Sequence, residues 1–464
     1  MYQEFLSFIP LEDFLPWLEN KKLVTLEVLG GLLETDFVVE EGFLSYLELW
    51  TGMEELAFER EFASQTAPLL SASPKPPALK HLYTGLPIDP AHELDLLRAT
   101  TTPIQHARRL YDACVERGIE IVALCDSPYS SAFIQELLIQ HGFEDVREVM
   151  VSCETGKTKK SYQAFRDLLQ ERNLEPAEVL HFGGDAYSDY GVPRDIGMDT
   201  LLIVPDWQGL SRRHIEFKEI FECLVPRAAG TNSITDMLLP MIMARTASSL
   251  MAERGWPEAL PPGLIDGLRT LGPVLGGFIC WLHLRLSQSP PQYLLLMGAA
   301  PESALARLLQ ESLQHLLQET SIVPLLASDT ETLPAALREV PLQQLAIVNL
   351  DPTGAAVGRL VAHVPPVAAH AVYHLLLEEG ARKSPHDLAY LSCHGLPKET
   401  QPVLQKLNGY WDILRQPDDI PEHCAEARCA AHLFLQHFLT FFSRYGKLHI
   451  TRKAIMALHA ETTN

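Results

Sequence analysis

The sequence is poor in basic residues and has no strong basic cluster. It contains 37 Lys and Arg against 59 Asp and Glu, which gives a formal net charge of −22 at pH 7. A protein that binds nucleic acid normally presents a basic face to the phosphates. We therefore expect no nucleic-acid partner. The acidic residues are spread along the chain, which indicates a well-solvated surface.

Long apolar runs and targeting signals are also lacking. The amino-terminal segment carries acids and no early Lys or Arg, whereas a signal peptide requires the reverse. The most apolar run, residues 271–286, is broken by Pro273 and His283. It is also shorter than the roughly 18 apolar residues of a membrane-spanning helix. We interpret this run as a buried helix, and we expect a cytoplasmic protein with no transmembrane segment.

No CxxC motif is present among the eight cysteines, which are scattered along the chain. Such cysteines in mostly apolar surroundings are typical of reduced thiols in a cytosolic protein. His423, Cys424, Cys429 and His432 lie close together in sequence, as some zinc ligands do. Residues five apart do not share a helix face well, so packed helix residues are favoured over a zinc site.

The length of 464 residues suits two or three domains. Within residues 119–205, short apolar strands alternate with helices in the order β-α-β-α-β-α-β. This alternation predicts an α/β fold with a parallel sheet covered by helices on both faces. An earlier strand at residues 22–28 is expected to join the same sheet, with residues 36–115 inserted as a helical cap.

The rest of the chain predicts a second domain. Residues 206–262 have the pattern of a helical connection. "PQYLLLMGAAPESALARLLQ" then begins a new strand–loop–helix pattern. We therefore expect an amino-terminal domain over residues 1–205 and a second α/β domain over residues 263–464. The tail from residue 366 onwards is predicted to be mainly helical.

Three polar loops follow strands of the amino-terminal domain. They read "CDSPYSS", "CETGKTKK" and "GGDAYSD". In a parallel sheet, ligands bind at the carboxyl ends of the strands, where loops of this kind meet. The sequence therefore predicts a site at that edge of the sheet.

Four segments, in order, carry a resemblance to a known family: "LEVLGGLL", "CDSPY", "GKTKK" and "HFGGDAYSD". They resemble "FDIFDTLL", "SDMY", "GxTKR" and "HIGDN…SD" of the haloacid dehalogenase (HAD) superfamily. The resemblance is greatest to a bacterial subgroup with a helical cap and a C-terminal α/β extension. It covers residues 20–205, less than half of the chain. It implies a Rossmannoid parallel sheet with core segments at about 20–35 and 119–205.

The resemblance also implies roles for individual residues. In this family, an aspartate at the end of the first strand attacks phosphorus, and a second aspartate two residues on acts as general acid and base. Glu27 lies at the nucleophile position, and Gly30, or else Leu29, lies at the general-acid position. Cys125 replaces the hydroxyl that holds the phosphate, and Lys159 matches the phosphate-binding lysine.

The family's last loop holds Mg²⁺, which joins the nucleophile to the phosphate. By resemblance, Gly184 replaces the first metal acid, Asp189 is kept, and Asp185 stands where the family often has Asn. A magnesium site would then use Glu27, Asp185 and Asp189. The candidate ligand-binding residues are Asp126, Ser127, Lys159, Gly183 and Gly184.

These substitutions predict a site that no longer catalyses phosphate-ester hydrolysis. Glutamate is longer than aspartate by one methylene, and a misplacement of about 1 Å can cost on the order of 10²-fold in rate. A missing general acid costs about 10²–10⁴-fold. We expect an inactive HAD-like protein, without a cofactor, that acts as a binding, scaffold or accessory subunit. The resemblance implies a protein partner, such as a glycosyltransferase or another component of envelope glycan synthesis.

Other hypotheses stay open. The protein could be a weak Mg²⁺-dependent phosphatase, or a sensor that binds a phosphosugar or nucleotide without hydrolysis. The residues also have simpler structural interpretations. Glu27 could pair with Lys159 across the strand ends, Asp185 and Asp189 could cap a helix, and Cys125 could be a small buried hydrophobe. The glycine-rich turns could bind an anion through backbone amides.

The second domain offers fewer candidates. The resemblance, loosely aligned here, places Met297, Gly298 and Ala299 where related proteins have a charged loop. Asp351 and Thr353 in "NLDPTGAAVGRL" could hold a phosphate or sugar at a helix N-terminus, but the segment has no Walker lysine. Close helix–strand packing is the favoured interpretation of this turn.

Overall fold

The computed structural model divides the chain into two compact units, residues 1–258 and 259–464. Each unit contains its own five-stranded sheet. The structure describes residues 15–38, 40–70, 75–229, 234–254, 259–286, 291–300, 303–316, 321–325, 344–351, 353, 355–363, 372–377, 387–392 and 421–445.

The sheet of the amino-terminal unit is fully parallel, in the order β5-β4-β1-β6-β7. Its strands are β1 (Leu23–Leu26), β4 (Glu120–Cys125), β5 (Val146–Val151), β6 (Val179–Gly183) and β7 (Asp199–Leu202). The early strand β1 lies at the centre, between β4 and β6. The predicted parallel sheet, with its early strand included, is therefore confirmed.

Amphipathic or apolar segments between the strands, and others after β7, form the remaining helices of this unit. They are α5 (Gln105–Glu116), α6 (Ser131–Gln140), α7 (Ser152–Thr155), α8 (Gln163–Arg172), α9 (Val192–Asp195), α10 (Asp206–Arg213), α11 (Ile215–Ala229) and α12 (Ile234–Arg254). Ser130 begins α6 by accepting a hydrogen bond from the amide of Phe133. The core beneath α8 includes Leu23, Val122 and Phe165.

A segment of helices is inserted between β1 and β4, as the sequence predicts. Its helices are α1 (Glu40–Thr51), α2 (Leu56–Leu70), α3 (Leu79–Leu82) and α4 (Ala91–Thr100). At its base, β2 (Leu33–Thr35) and β3 (Thr101–Pro103) form a two-stranded antiparallel ladder. The inserted segment thus leaves and re-enters the unit at neighbouring points.

A buried carboxylate joins the inserted helices to the loop that follows β4. Glu93 of α4 accepts two hydrogen bonds from the guanidinium of Arg60, at 2.9 and 3.0 Å. It also accepts the hydroxyls of Tyr83 and Tyr129, each at 2.6 Å. Because Tyr129 lies in the polar loop after β4, this carboxylate connects the cap to the edge of the sheet where the site lies.

The carboxyl-terminal unit has a second parallel sheet in the order β12-β11-β10-β8-β9. Its strands are β8 (Tyr293–Met297), β9 (Ser321–Leu325), β10 (Leu345–Asn349), β11 (Val372–Leu377) and β12 (Asp387–Ser392). Its helices are α13 (Pro262–Asp266), α14 (Gly272–Leu286), α15 (Ala304–Leu316), α16 (Ala355–His363) and α17 (Glu422–Tyr445).

Two features of this unit bear on the sequence analysis. The apolar run 271–286 forms the buried helix α14, as predicted, and Phe278 and Ile279 are fully buried within it. The prediction of a mainly helical tail is wrong in part, because residues 372–377 and 387–392 are strands that extend the sheet beside β10. Apolar runs this short do not distinguish a strand from a buried helix segment by pattern alone. Among the described residues, none of the helices has the length and apolarity needed to cross a bilayer.

The turns after β1 and β6 approach each other at the edge of the first sheet. Gly30 adopts φ +85°, in the left-handed region that glycine tolerates. A Cβ added to Gly184 would collide with the backbone carbonyl of Gly30. Gly184 is therefore required by the close contact of the two turns, and Gly30 by its left-handed backbone conformation.

We predict that Gly184→Ala destabilises the amino-terminal unit by roughly 1–3 kcal/mol, because its Cβ meets backbone that cannot yield. Gly191→Ala is the matched control, since an added Cβ there lies 3.5 Å from its nearest neighbour. Urea denaturation of both variants checks the prediction. Equal stabilities for the two would contradict the close contact.

Candidate active site

The candidate site lies at the carboxyl ends of β1, β4 and β6. Glu27 directly follows β1, and Asp126 directly follows β4. Lys159 comes from the loop after α7, and Asp189 from a single π-helical stretch, Ala186–Gly191, that follows β6. Since β1 is flanked by β4 and β6, the sheet brings these side chains together.

A buried cation is shared by two carboxylates at the centre of this site. The ammonium Nζ of Lys159 lies 2.5 Å from Oε2 of Glu27 and also pairs with Oδ1 of Asp189. The lysine is only 1% exposed. The predicted pairing of Glu27 with Lys159 is confirmed, and Asp189 is a second partner that the sequence did not indicate.

The cluster has one positive charge for two carboxylates, and the pKa values of these two acids shift in opposite directions. Burial alone would lower the pKa of Lys159, but Glu27 and Asp189 outweigh it, so that pKa is raised. Burial raises the pKa of Glu27, and Lys159 only partly opposes this. Burial also acts to raise the pKa of Asp189, but His181 and Lys159 overcome it, so that pKa is lowered. Asp189 is therefore the firmly ionised partner of the lysine.

The Glu27 carboxylate is also held by backbone amides. Oε1 accepts the amide of Val28 at 2.9 Å, and Oε2 accepts the amide of Asp126 at 3.2 Å. Together with the ammonium of Lys159, these donors surround the carboxylate. They are the kinds of donor that hold an anion at a turn in other proteins.

Asp189 is fixed in a similar way. Its Oδ2 accepts the amide of Asp185 at 2.9 Å, and its Oδ1 lies 3.3 Å from Nε2 of His181. His181 is buried, and its other ring nitrogen lies 2.8 Å from the hydroxyl of Thr25. Asp189 therefore does not cap the following helix, contrary to the interpretation offered from the sequence.

The structure gives the other predicted site residues mainly structural contacts. Gly30 carries no side chain that could transfer a proton. Cys125 is buried, and burial, followed by the nearby Glu27, raises the pKa of its thiol well above the usual range. Ser127 accepts the amide of Tyr129 at 3.2 Å through its hydroxyl, closing its own turn. The buried Gly183 packs against the side chain of Asp189.

Two further acids serve as acceptors for backbone amides. Asp185 accepts the amides of Tyr187 and Ser188, so its predicted capping role is confirmed. Both oxygens of Asp126 accept the amide of Lys159, each at 3.1 Å. Asp126 thereby positions the start of the segment that carries the central lysine.

The donor set does not fit a magnesium ion. Mg²⁺ requires near-ideal octahedral coordination by oxygen ligands. Here the Lys159 ammonium lies between Glu27 and Asp189, and the remaining oxygens of both acids accept backbone amides. Among the residues that the structure describes, no group of three His, Cys, Asp or Glu side chains could hold a metal ion.

A cavity of about 590 Å³ opens beside this cluster. The residues that line it also include Glu34, Asp36, Trp207 and Arg245, none of which was a candidate from the sequence. Nη1 of Arg245 lies 2.9 Å from Oε1 of Glu34, and its Nε lies 3.0 Å from Oδ1 of Asp36. The sequence feature that could have pointed to Arg245 is its position as a lone arginine in the apolar stretch "MLLPMIMARTASSLM" of α12.

Glu34 has an unusual protonation state. Burial raises its pKa to about 7, although Arg245 opposes the shift. The neighbouring charges of Asp206 and Asp36 raise the pKa further, and that of His106 lowers it. Nδ1 of His106 lies 2.7 Å from Oδ1 of Asp206, so these two groups form a buried pair close to Glu34. Near neutral pH, Glu34 is therefore divided between its charged and neutral forms.

The candidates in the carboxyl-terminal unit have structural contacts. Asp351 accepts the amides of Thr353 and Ala356, which fixes the turn before α16. A Cβ on Gly298, which has φ +82°, would collide with Asp351, so strand β8 and this turn pack closely. Met297 and Ala299 flank that glycine, and both are buried.

The proposed zinc ligands lie on α17 or at its start. Cys424 is fully buried, whereas His423 on the same helix is exposed. Nε2 of His432 lies 2.8 Å from Nε2 of Gln436. The helix thus directs these side chains to different surroundings.

Comparisons with known proteins bear on the family. The chain is 27% identical over 135 residues to haloacid dehalogenase-like hydrolase domain-containing protein 3 of Xenopus laevis. This match covers 28% of the chain and 54% of that protein, so the chain spans about half the length of its curated relative. The amino-terminal unit is HAD-like in fold. No family model matches the chain.

Solved haloacid dehalogenases are also similar to part of this chain. A defluorinating L-2-haloacid dehalogenase matches with 16% identity and a TM-score of 0.30, over 39% of this chain and 80% of that one. The L-2-haloacid dehalogenase from Xanthobacter autotrophicus matches with 15% identity and a TM-score of 0.32, over 47% and 86%.

We predict that Lys159→Met destabilises the HAD-like unit by about 3–5 kcal/mol, because Glu27 and Asp189 lose their buried counter-ion. Lys160→Met is the matched control, since that neighbouring lysine is exposed, and its cost should stay within about 0.5 kcal/mol. Urea denaturation measures both variants. A mild effect of Lys159→Met would mean that the buried cation is dispensable for folding.

A second prediction concerns pH. The pKa of Glu34 is raised from 4.5 to about 7, so the folded state holds this proton more tightly than the unfolded state. Its contribution to stability is therefore complete below about pH 4.5 and is lost as the pH rises through about 7. A shift of this size corresponds to roughly 3 kcal/mol.

Glu34→Gln mimics the protonated side chain at every pH. The unfolding free energy of the wild type, relative to that of this variant, should decrease as the pH rises from about 5 to about 8. The measurement is denaturation across that range. A difference that does not change with pH would show that Glu34 titrates normally.

Proposed function

We propose that this HAD-like protein binds a small organic ligand in the cavity beside Glu27 and does not hydrolyse phosphate esters. One observation supports this most directly: the carboxylate of Glu27 accepts the Lys159 ammonium and the amides of Val28 and Asp126. A substrate phosphate in this fold would need these same donors. The Glu27 carboxylate would thus compete with a bound anion for these three donors.

The chemistry at the strand ends supports the same conclusion. By the family resemblance, the general-acid position is occupied by Gly30, and a missing general acid costs about 10²–10⁴-fold in rate. Glu27 itself is engaged by three donors, namely the Lys159 ammonium and the amides of Val28 and Asp126. A Mg²⁺-dependent phosphatase using Glu27, Lys159, Asp185 and Asp189 is the competing hypothesis, and the arrangement of Lys159 argues against it.

The identity of a protein partner remains a prediction from the family resemblance. A scaffold or accessory role beside a glycosyltransferase, or another component of envelope glycan synthesis, is compatible with a ligand-binding pocket. Recovery of one such enzyme by affinity pull-down, and its loss on altering the pocket, would support that role.

The decisive variant is Glu27→Ala, which removes the built-in carboxylate and releases the three donors. We expect inorganic phosphate to raise the melting temperature of this variant by at least about 2 °C and to leave the wild type unchanged. The matched control is Glu27→Gln, whose amide keeps the same length and should still fill the space. Thermal unfolding with and without phosphate provides the measurement.

An activity assay completes the experiment. Wild-type protein is incubated with p-nitrophenyl phosphate and Mg²⁺, and release of nitrophenol is followed. Turnover that disappears in Glu27→Ala would overturn the proposal and establish the phosphatase hypothesis. Phosphate stabilising the wild type as strongly as Glu27→Ala would also refute it.

A further inference from the structure

The first two inserted helices carry exposed aromatic side chains. Phe58 and Phe62 of α2 are 67% and 52% exposed, and their rings stack with the centroids 6.1 Å apart. Leu49 and Trp50, near the end of α1, are also exposed. Four of the seven large apolar side chains that are exposed among the described residues thus belong to these two helices. Single exposed apolar residues are ordinary, whereas grouped ones mark an interaction surface.

The two phenylalanine rings form a ridge along α2. They are four residues apart, so they lie on the same face of the helix. At 3.6 residues per turn, Glu59 and Glu61 lie about 80° to either side of the midline between the rings. Both glutamates are exposed. The helix therefore presents an aromatic ridge that is bordered by carboxylates on both sides.

The exposed charge of these helices has one sign. Residues 40–74 contain seven glutamates, and Arg60 is the only Lys or Arg among them. Arg60 is buried and pairs with Glu93, so it does not offset the charge at the surface. Four exposed glutamates form no ion pair with any residue that the structure describes, namely Glu54, Glu55, Glu59 and Glu61.

Three other occupants would fit this surface less well. A second copy of the chain that met it symmetrically would bring the same glutamates face to face. Anionic lipids and nucleic acids carry negative charge, which these glutamates repel. A protein segment with basic residues on either side of an apolar stripe would match both the ridge and its borders.

We propose that the ridge of Phe58 and Phe62 binds a cationic amphipathic helix of a partner protein. The apolar face of that helix packs on the two rings, and its Lys or Arg side chains pair with Glu59 and Glu61. Aromatic residues are enriched in the centre of protein interfaces, and such anchors carry much of the binding energy. A helix is the expected partner because a ridge along α2 fits the groove of a second helix.

This inference goes beyond the proposed function. Phe58 and Phe62 do not line the cavity beside Glu27. The partner surface and the ligand pocket can therefore be tested separately, and failure of one leaves the other intact.

Three labelled peptides of equal length test the chemistry of the partner. The first is an amphipathic helix of Leu and Lys, the second has Glu in place of Lys, and the third has Ser in place of Leu. By fluorescence anisotropy with the intact chain, we expect the Leu–Lys peptide to bind at least about tenfold more tightly than either of the others. Equal or tighter binding of the Leu–Glu peptide would overturn the proposal. Equal binding of the Ser–Lys peptide would also overturn it, because an acidic chain attracts any basic peptide without a specific contact.

A double variant locates the contact on α2. Phe58→Ala/Phe62→Ala should weaken binding of the Leu–Lys peptide by about tenfold or more, because both anchors are lost. Ile139→Ala is the matched control, since Ile139 is 54% exposed but lies on α6. The affinity of this control should stay within about twofold of the wild type. Unchanged affinity in the double phenylalanine variant would refute the placement.

A second pair of variants tests the carboxylates. Glu59→Gln/Glu61→Gln should weaken binding by roughly three- to tenfold and reduce its dependence on salt. Glu116→Gln/Glu144→Gln is the matched control, because it removes the same charge from exposed positions outside the inserted segment. Equal losses in the two variants would show that only the net charge of the chain matters, contrary to the proposal.

Further measurements distinguish the other occupants. Because the altered residues are exposed, the melting temperature of each variant should stay within about 3 °C of the wild type. A larger drop in Phe58→Ala/Phe62→Ala would mean that the chain itself covers the rings. Sedimentation of a wild-type dimer that dissociates in this variant would identify a second copy, and binding to phosphatidylcholine vesicles that it abolishes would identify a membrane. Each of these three results would overturn the proposal.

Discussion

The site depends on the ion pairs that the buried ammonium of Lys159 forms with two carboxylates. It pairs with Glu27 after β1 and Asp189 after β6, and its own loop is held by Asp126 after β4. Moving a charge into the interior costs several kcal/mol, so a buried lysine must have partners. Three loops from separate strands are therefore held in one arrangement, and the cavity lies beside it.

One methylene group distinguishes Glu27 from the aspartate that the family resemblance places after β1. An aspartate after β1 would leave the neighbouring donors within reach of a ligand, whereas the longer Glu27 brings its carboxylate to the ammonium and to two backbone amides. The surrounding architecture is retained, with a parallel sheet, an inserted helical segment and polar loops at the strand ends.

The sequence allowed much of this to be predicted, for identifiable reasons. Alternating apolar strands and helices predicted the first parallel sheet, and the polar loops predicted a site at the carboxyl ends of its strands, where a pairing of Glu27 with Lys159 was one interpretation. Arg245 and Glu34 are far apart in sequence, and no local pattern indicates that α12 passes over β2. The strands β11 and β12 were missed because short apolar segments carry no period that separates strand from helix.

The carboxylate of Glu93 has a mechanical consequence. It accepts four hydrogen bonds, from Arg60, Tyr83 and Tyr129, and it joins the inserted helices to the loop that begins at Asp126. Arg60 and Tyr83 belong to the inserted segment, as Glu93 does, so three of the four bonds hold that segment together and the hydroxyl of Tyr129 joins it to the loop after β4. The same carboxylate therefore contributes both to the internal packing of the inserted segment and to its attachment to the sheet, so a change at position 93 would disturb both.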